Sequence, residues 1–121
     1  MTERIDVLNP VDIETRIRDI AERIANSAGV CNDRYKAFMQ ADHAYDLAHA
    51  RAWLNAEGTV KDKEATVEIE TEDERQARDV AEVAYKYADR LAKALESELR
   101  AYQSVGASVR QMFAVAGRGE Q

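Results

Sequence analysis

The stretch AEGTVKDKEATVEIETEDE, residues 56–74, decides how this chain folds. On either side of it, apolar residues recur at helical spacing over many turns. Within it, the helix-breaking signals gather: Gly58 followed by Thr59, then Thr71 followed by Glu72, Asp73 and Glu74. A Thr with an acid three positions later is the signature of a helix N-terminus, because the hydroxyl caps and the carboxylate reaches back. Thr71 and Glu74 therefore read as a capping box that opens a second long helix. Gly58 suits the C′ position that closes the first. Residues 60–70, VKDKEATVEIE, are compatible with a short amphipathic helix or with a strand in which Val67 and Ile69 alternate with charges. A lone strand would have no partner, which favours the helix.

Moving outward, Asn9-Pro10 marks the start of the first long helix, since Asn caps and Pro is tolerated at the first helical position. Ile13, Ile17, Ile20, Ile24, Ala28, Cys31, Tyr35, Phe38, Ala41, Tyr45, Ala48 and Ala52 then follow at alternating spacings of mostly three and four, a heptad-like seam. Asn26-Ser27-Ala28-Gly29 weakens the pattern, because Gly inside a helix costs about 1 kcal/mol relative to Ala. A kink or break near Gly29 is expected, with a break turning the N-terminal part into a third helix. In the second long helix the seam reads Ala77, Ala81, Ala84, Ala88, Leu91, Leu95, Tyr102, Val105, Val109 and Phe113. Gly106, among small residues, would permit close backbone approach.

The predicted fold is all-α: a long antiparallel helical hairpin with an N-terminal third helix in a coiled-coil-like bundle. The domain plan is an arm at 1–9 and one helical-bundle domain at 10–116, followed by a tail at 117–121. Within the domain, one helix covers 10–57, an acidic connector 58–71 and a second helix 72–115. Ala at many seam positions brings helix axes close together, but a two-helix hairpin leaves apolar surface uncovered. Self-association or a protein partner is expected for that reason.

One Pro and five Gly among 121 residues leave little punctuation for a turn-rich β fold, and 7% aromatic content argues against a large aromatic-lined substrate pocket. The net charge of −6 argues against coating nucleic acid by bulk electrostatics. Charge is uneven along the chain. Residues 57–82 hold four basic and ten acidic groups, whereas residues 83–121 hold six basic and four acidic.

Two candidate interaction surfaces follow. Lys86, Arg90 and Lys93 stand at i, i+4 and i+7 on one helix face, Arg100 continues that line, and Arg110 lies beyond. Tyr85, Tyr87 and Tyr102 are near enough to stack on bases, so DNA or RNA contact is possible here beside the plainer reading of a solvated polar face. The acids Glu64, Glu68, Glu70, Glu72 and Asp73 form a candidate surface for a protein partner. They lack the apolar pocket that would tune a carboxylate for acid–base catalysis.

Asp42, His43, Asp46 and His49 are the densest polar cluster. Asp46 and His49 echo the acid-x-x-His spacing of bundle di-metal sites, but those sites need matching motifs on a second helix. The chain has two His, both in this segment, so no metal site is expected. Cys31 is a single cysteine, so no disulfide forms within the chain, and it reads as a small apolar seam residue. No phosphate loop, dinucleotide fingerprint or nucleophile elbow is present. No enzymatic activity, cofactor or small-molecule substrate is expected. Neither a signal-peptide core nor a membrane span is present, which points to the cytoplasm and away from membrane partners.

Two runs, YKAFMQADHAYDLAHARAWLNAEGTVKDKEATVEIETEDE and YKYADRLAKALESELRAYQSVGASVRQMF, cover about residues 35–113 and resemble small, largely uncharacterised helical proteins of tailed bacteriophages. The resemblance rests on Trp53-Leu54, on Gly58-Thr59-Val60 with Lys61, Lys63 and Ala65, and on the run from Leu99 to Met112. It implies a host bacterial cell and a role near early or DNA-metabolism functions, without catalytic residues. The leading expectation is a non-enzymatic accessory protein of replication or recombination that binds a protein partner, a nucleic acid or both, with the basic face as the candidate contact surface. The alternative is a scaffold, a chaperone or an inhibitor of a host protein acting through the acidic segment.

Overall fold

Asn9 starts the first helix as its sequence suggests. Its Oδ1 accepts from the backbone N–H of Asp12 at 2.9 Å, and its Nδ2 donates to the Asp12 carboxylate at 2.8 Å. The computed structural model describes residues 9–119, with side chains through residue 117. Three helices follow: α1 (Pro10–Asn55), α2 (Val60–Glu70) and α3 (Glu72–Gly119). Residues 1–8 of the arm expected at 1–9 and the last two residues of the expected tail lie outside the described residues. The fold is all-α, a helical hairpin in which α3 returns antiparallel to α1.

α1 runs through Gly29 without a break, so the third helix is not an N-terminal one. Gly29 is exposed, and a Cβ there would meet nothing within 4 Å. The roughly 1 kcal/mol propensity cost of one glycine is small beside the packing of the seam residues that flank it. Ile20 is buried on one side of it, and Cys31 and Phe38 are half-buried on the other.

The third helix is α2, the middle of the acidic connector. Val67 is 1% exposed and Ile69 is 76% exposed. A strand would place these two residues on the same face, whereas a helix turns them about 200° apart. α2 opens with a capping box that the sequence reading passed over. Thr59 Oγ1 accepts from the N–H of Asp62, and Asp62 Oδ2 accepts from the N–H of Thr59, both at 3.2 Å. α1 ends at Asn55, so Gly58 sits just before this cap, one residue beyond the C′ position expected for it. Its φ of 103° lies in the left-handed region that glycine reaches without strain, and a Cβ would fall 2.9 Å from Asp62 Oδ2.

The capping box expected at Thr71 and Glu74 does not form. Thr71 lies between α2 and α3, and its hydroxyl turns back to donate to the Val67 carbonyl at 2.6 Å. Its backbone N–H bonds the same carbonyl at 3.0 Å, so Thr71 closes α2. Its own carbonyl accepts from the N–H of Arg75, which starts the α3 ladder. Glu74 does not reach back to the cap, and its Oε2 is buried with no hydrogen-bond partner among the described residues. α3 continues through Gly119, past the expected end at residue 115.

The chain divides into two units. Of the described residues, one unit joins 9–28 with 91–119, and the other spans 29–90. In the first, Ile13, Ile20, Leu95 and Val109 are buried. Gly106 is also buried there, and a Cβ on it would lie 3.1 Å from Ile13 Cγ2. The close approach expected at Gly106 is therefore made to α1. Arg16 donates to the Tyr102 hydroxyl at 3.1 Å and lies over its ring at 5.7 Å.

In the second unit, α2 joins the segments of α1 and α3. Ala52, Val67, Thr71 and Ala88 are buried. Tyr85 of α3 packs on Tyr35 and Phe38 of α1, with ring centroids 5.1 Å and 6.2 Å apart. On α3 the buried face differs from the expected seam. Leu91, Val105 and Phe113 are exposed, while Ala92, Leu99 and Gly106 turn inward.

Candidate functional site

The five basic residues of α3 divide between the two units. Lys86 and Arg90 belong to the three-helix unit, and Lys93, Arg100 and Arg110 to the other. All five are exposed. Lys86 Nζ lies 2.8 Å from Glu82 Oε1 one turn earlier, which offsets its charge locally. Arg100 donates to Ser97 Oγ at 3.4 Å, and Lys93 is also engaged. The three tyrosines considered for base stacking differ. Tyr85 is occupied by Tyr35 and Phe38, and Tyr102 by Arg16. Tyr87, 68% exposed, is the one of the three that faces solvent.

Tyr87 belongs to a stripe the sequence reading did not single out. Val80, Val83 and Tyr87 are 70%, 68% and 68% exposed. Their spacing of i, i+3 and i+7 puts them on one side of α3. That side is not the one that carries Tyr85 and Ala88 inward. Basic residues border it: Lys86 stands three residues past Val83, and Arg90 three past Tyr87 and seven past Val83. Hydropathy alone did not reveal the stripe, because α3 has apolar residues on more than one side and only packing shows which side is spent on the core.

The acidic candidates lie on two elements. Glu64, Glu68 and Glu70 are on α2, while Glu72 and Asp73 are in the first turn of α3, where acids favour the helix dipole. All five are exposed. Glu64 and Glu68 line a cleft of about 100 Å³ with Val67 of α2 and with His49 and Trp53 of α1. The Tyr45 ring packs edge-on against His49, with centroids 5.8 Å apart. The Arg78 guanidinium lies over Tyr45 at 4.6 Å, with Asp42 at 3.9 Å and Asp79 at 3.3 Å. Asp42 thus serves an ion pair and not a shared polar cluster with His49. Among the described residues no group of three or more His, Cys, Asp and Glu side chains is placed to hold a metal ion.

In the two-helix unit a second cleft of about 170 Å³ is lined by Arg16, Asp19, Ile20, Arg23, Glu98 and Tyr102. Its two arginines are offset by two acids, so it selects neither sign of charge. Cys31 is a free, half-buried thiol. No helix among the described residues is long and apolar enough to cross a membrane. Comparison with protein-family models, with curated proteins and with solved structures returns no match.

Proposed function

We propose that this chain is a non-enzymatic binding protein whose α3 docks an amphipathic helix of a protein partner. The single observation that carries this is the exposed stripe of Val80, Val83 and Tyr87. Contiguous exposed apolar surface of this kind marks association sites in soluble proteins. Helix-in-groove recognition reads apolar anchors at the same i, i+3 and i+7 spacing. Lys86 and Arg90 border the stripe, which suits a partner helix with an acidic margin, since charge at the rim sets orientation and on-rate. Together with the phage resemblance, this supports an accessory role in phage replication or recombination exercised through protein contacts. Nucleic acid is the weaker occupant, because Tyr85 and Tyr102 are taken up internally and Lys86 is paired.

A photo-crosslinking residue at position 83, activated in extract of the producing cells, tests the reading. The expected product is a discrete protein adduct that survives nuclease and is lost in Arg90→Glu. An adduct destroyed by nuclease, or no adduct, overturns it. The same crosslinker on purified chain reports a second copy as occupant, which would replace the hetero-partner.

The alternative, a scaffold, chaperone or inhibitor acting through the acidic segment, draws on a separate observation. The cleft between α1 and α2 carries two carboxylates beside an aromatic side chain.

A further inference from the structure

From that cleft we infer a binding site for a single arginine side chain of a partner polypeptide. The inference rests on the protein-binding reading above and names the chemistry of a second contact. Two pairs of residues build the walls. His49 and Trp53 are four residues apart on α1, and Glu64 and Glu68 are four apart on α2, so each pair stands on one side of its own helix. Val67, 1% exposed, forms the floor and fixes α2 against the rest of its unit. The volume of about 100 Å³ is well below the roughly 300–1,000 Å³ of pockets that enclose whole small molecules. It suits the head group of one side chain.

The lining selects charge. Glu64 and Glu68 are its two formally charged members. Among the described residues neither has a hydrogen-bond or ion-pair partner. Like charges at i, i+4 repel each other, and a cation between them removes that repulsion. A small metal ion is the wrong cation, because these carboxylates and His49 are not placed to share one. A guanidinium fits better. It is planar and weakly hydrated, it stacks on aromatic rings, and it donates in a fork to carboxylates. Trp is the strongest aromatic partner for a cation.

The molecule already uses this arrangement internally. Arg78 lies over Tyr45 beside Asp42 in the same unit. The cleft offers an aromatic side chain and two carboxylates with no arginine of this chain lining it.

Trp53 is the single tryptophan of the chain, so its emission reports on this cleft directly. The probe is N-acetyl-arginine amide, titrated into the full chain beside the neutral citrulline and the lysine analogues. The expected result is a saturable change in Trp53 emission with arginine, half-complete in the millimolar range appropriate to one side chain. Citrulline should give no saturable change, lysine should bind more weakly, and raised salt should weaken the arginine response. Glu64→Gln with Glu68→Gln should weaken arginine about tenfold or more, the scale of two lost charge-assisted hydrogen bonds. Both residues are exposed, and unchanged far-UV circular dichroism would show the variant intact. Equal responses to arginine and citrulline overturn the site, as does equal binding of lysine or an unaltered affinity in the double variant. Should the double variant misfold, the three-probe comparison on the unaltered chain decides alone. A flat titration beside an intact crosslink at position 83 removes the cleft and leaves the α3 contact standing.

Discussion

Where Ile13 meets α3, Gly106 has no side chain; where Tyr35 and Phe38 meet α3, Tyr85 fills the space with a ring. The two units thus bring α1 and α3 together by opposite means. One removes volume so that the backbones approach, and the other inserts aromatic volume and adds a third helix. The first depends on shape at a few positions and has no further element to absorb a defect. The second spreads its packing over rings, Val67 and the ends of α2, and it retains enough free aromatic and acidic surface to shape a cleft.

The comparison can be broken most sharply at Ile13. Ile13→Ala should cost about 3–4 kcal/mol, clear of the low end of the usual range, because the glycine opposite cannot fill the void. Urea unfolding measures the loss. Amide exchange should rise first in residues 10–28 and 91–117, and an equal rise across residues 29–90 would erase the distinction between the units. Next is Tyr85→Ala, expected to cost about 2–3 kcal/mol from lost apolar burial and two ring pairs. Its exchange signature should be confined to residues 29–90.

A smaller effect sharpens the account of the third helix. Thr59→Ala removes the α2 cap and should cost about 1 kcal/mol. Exchange should rise within residues 60–70, with a shift in Trp53 emission as α2 loosens. The smallest effect has the opposite sign. Gly29→Ala should stabilise the chain by about 0.5–1 kcal/mol and raise Tm by about 3 °C, since the added methyl meets nothing and the helix gains propensity. Gly106→Ala gains the same propensity but crowds Ile13, so calorimetry should show no comparable rise. Matching gains at both glycines would refute the close approach.

The helices were legible because their signals are local. The cap at Asn9, the heptad seam of α1 and the punctuation near Gly58 act over a few residues. Thr71 misled for a physical reason: its hydroxyl can serve the helix before it or the one after it, and only the docking of Val67 decides. The inward face of α3 was obscured because Leu91 and Ala92, or Val105 and Gly106, offer apolar or small residues side by side. The unbroken α1 was undecidable from Gly29 alone, since its cost is overridden by the burial of Ile20, Cys31 and Phe38, which depends on what α1 packs against. The basic and acidic candidates could be read as lists, but not as surfaces. The stripe emerges only once Tyr85 and Ala88 are known to point inward. The cleft exists only because α2 folds Glu64 and Glu68 beside His49 and Trp53, residues with no shared motif in the sequence.

The two interhelical joints are unequal in slack. Between α1 and α2 the chain passes through Ala56, Glu57, Gly58 and the cap Thr59, mostly exposed and outside any helix. Between α2 and α3 it passes through Thr71 alone, 2% exposed. Extra sequence spliced after Ala56 would loop into solvent, whereas one residue added at Thr71 would rotate α3 by about 100° against α2. The first joint is therefore where a reporter or a foreign domain can be grafted, and the second is where the chain's length is dictated to the residue.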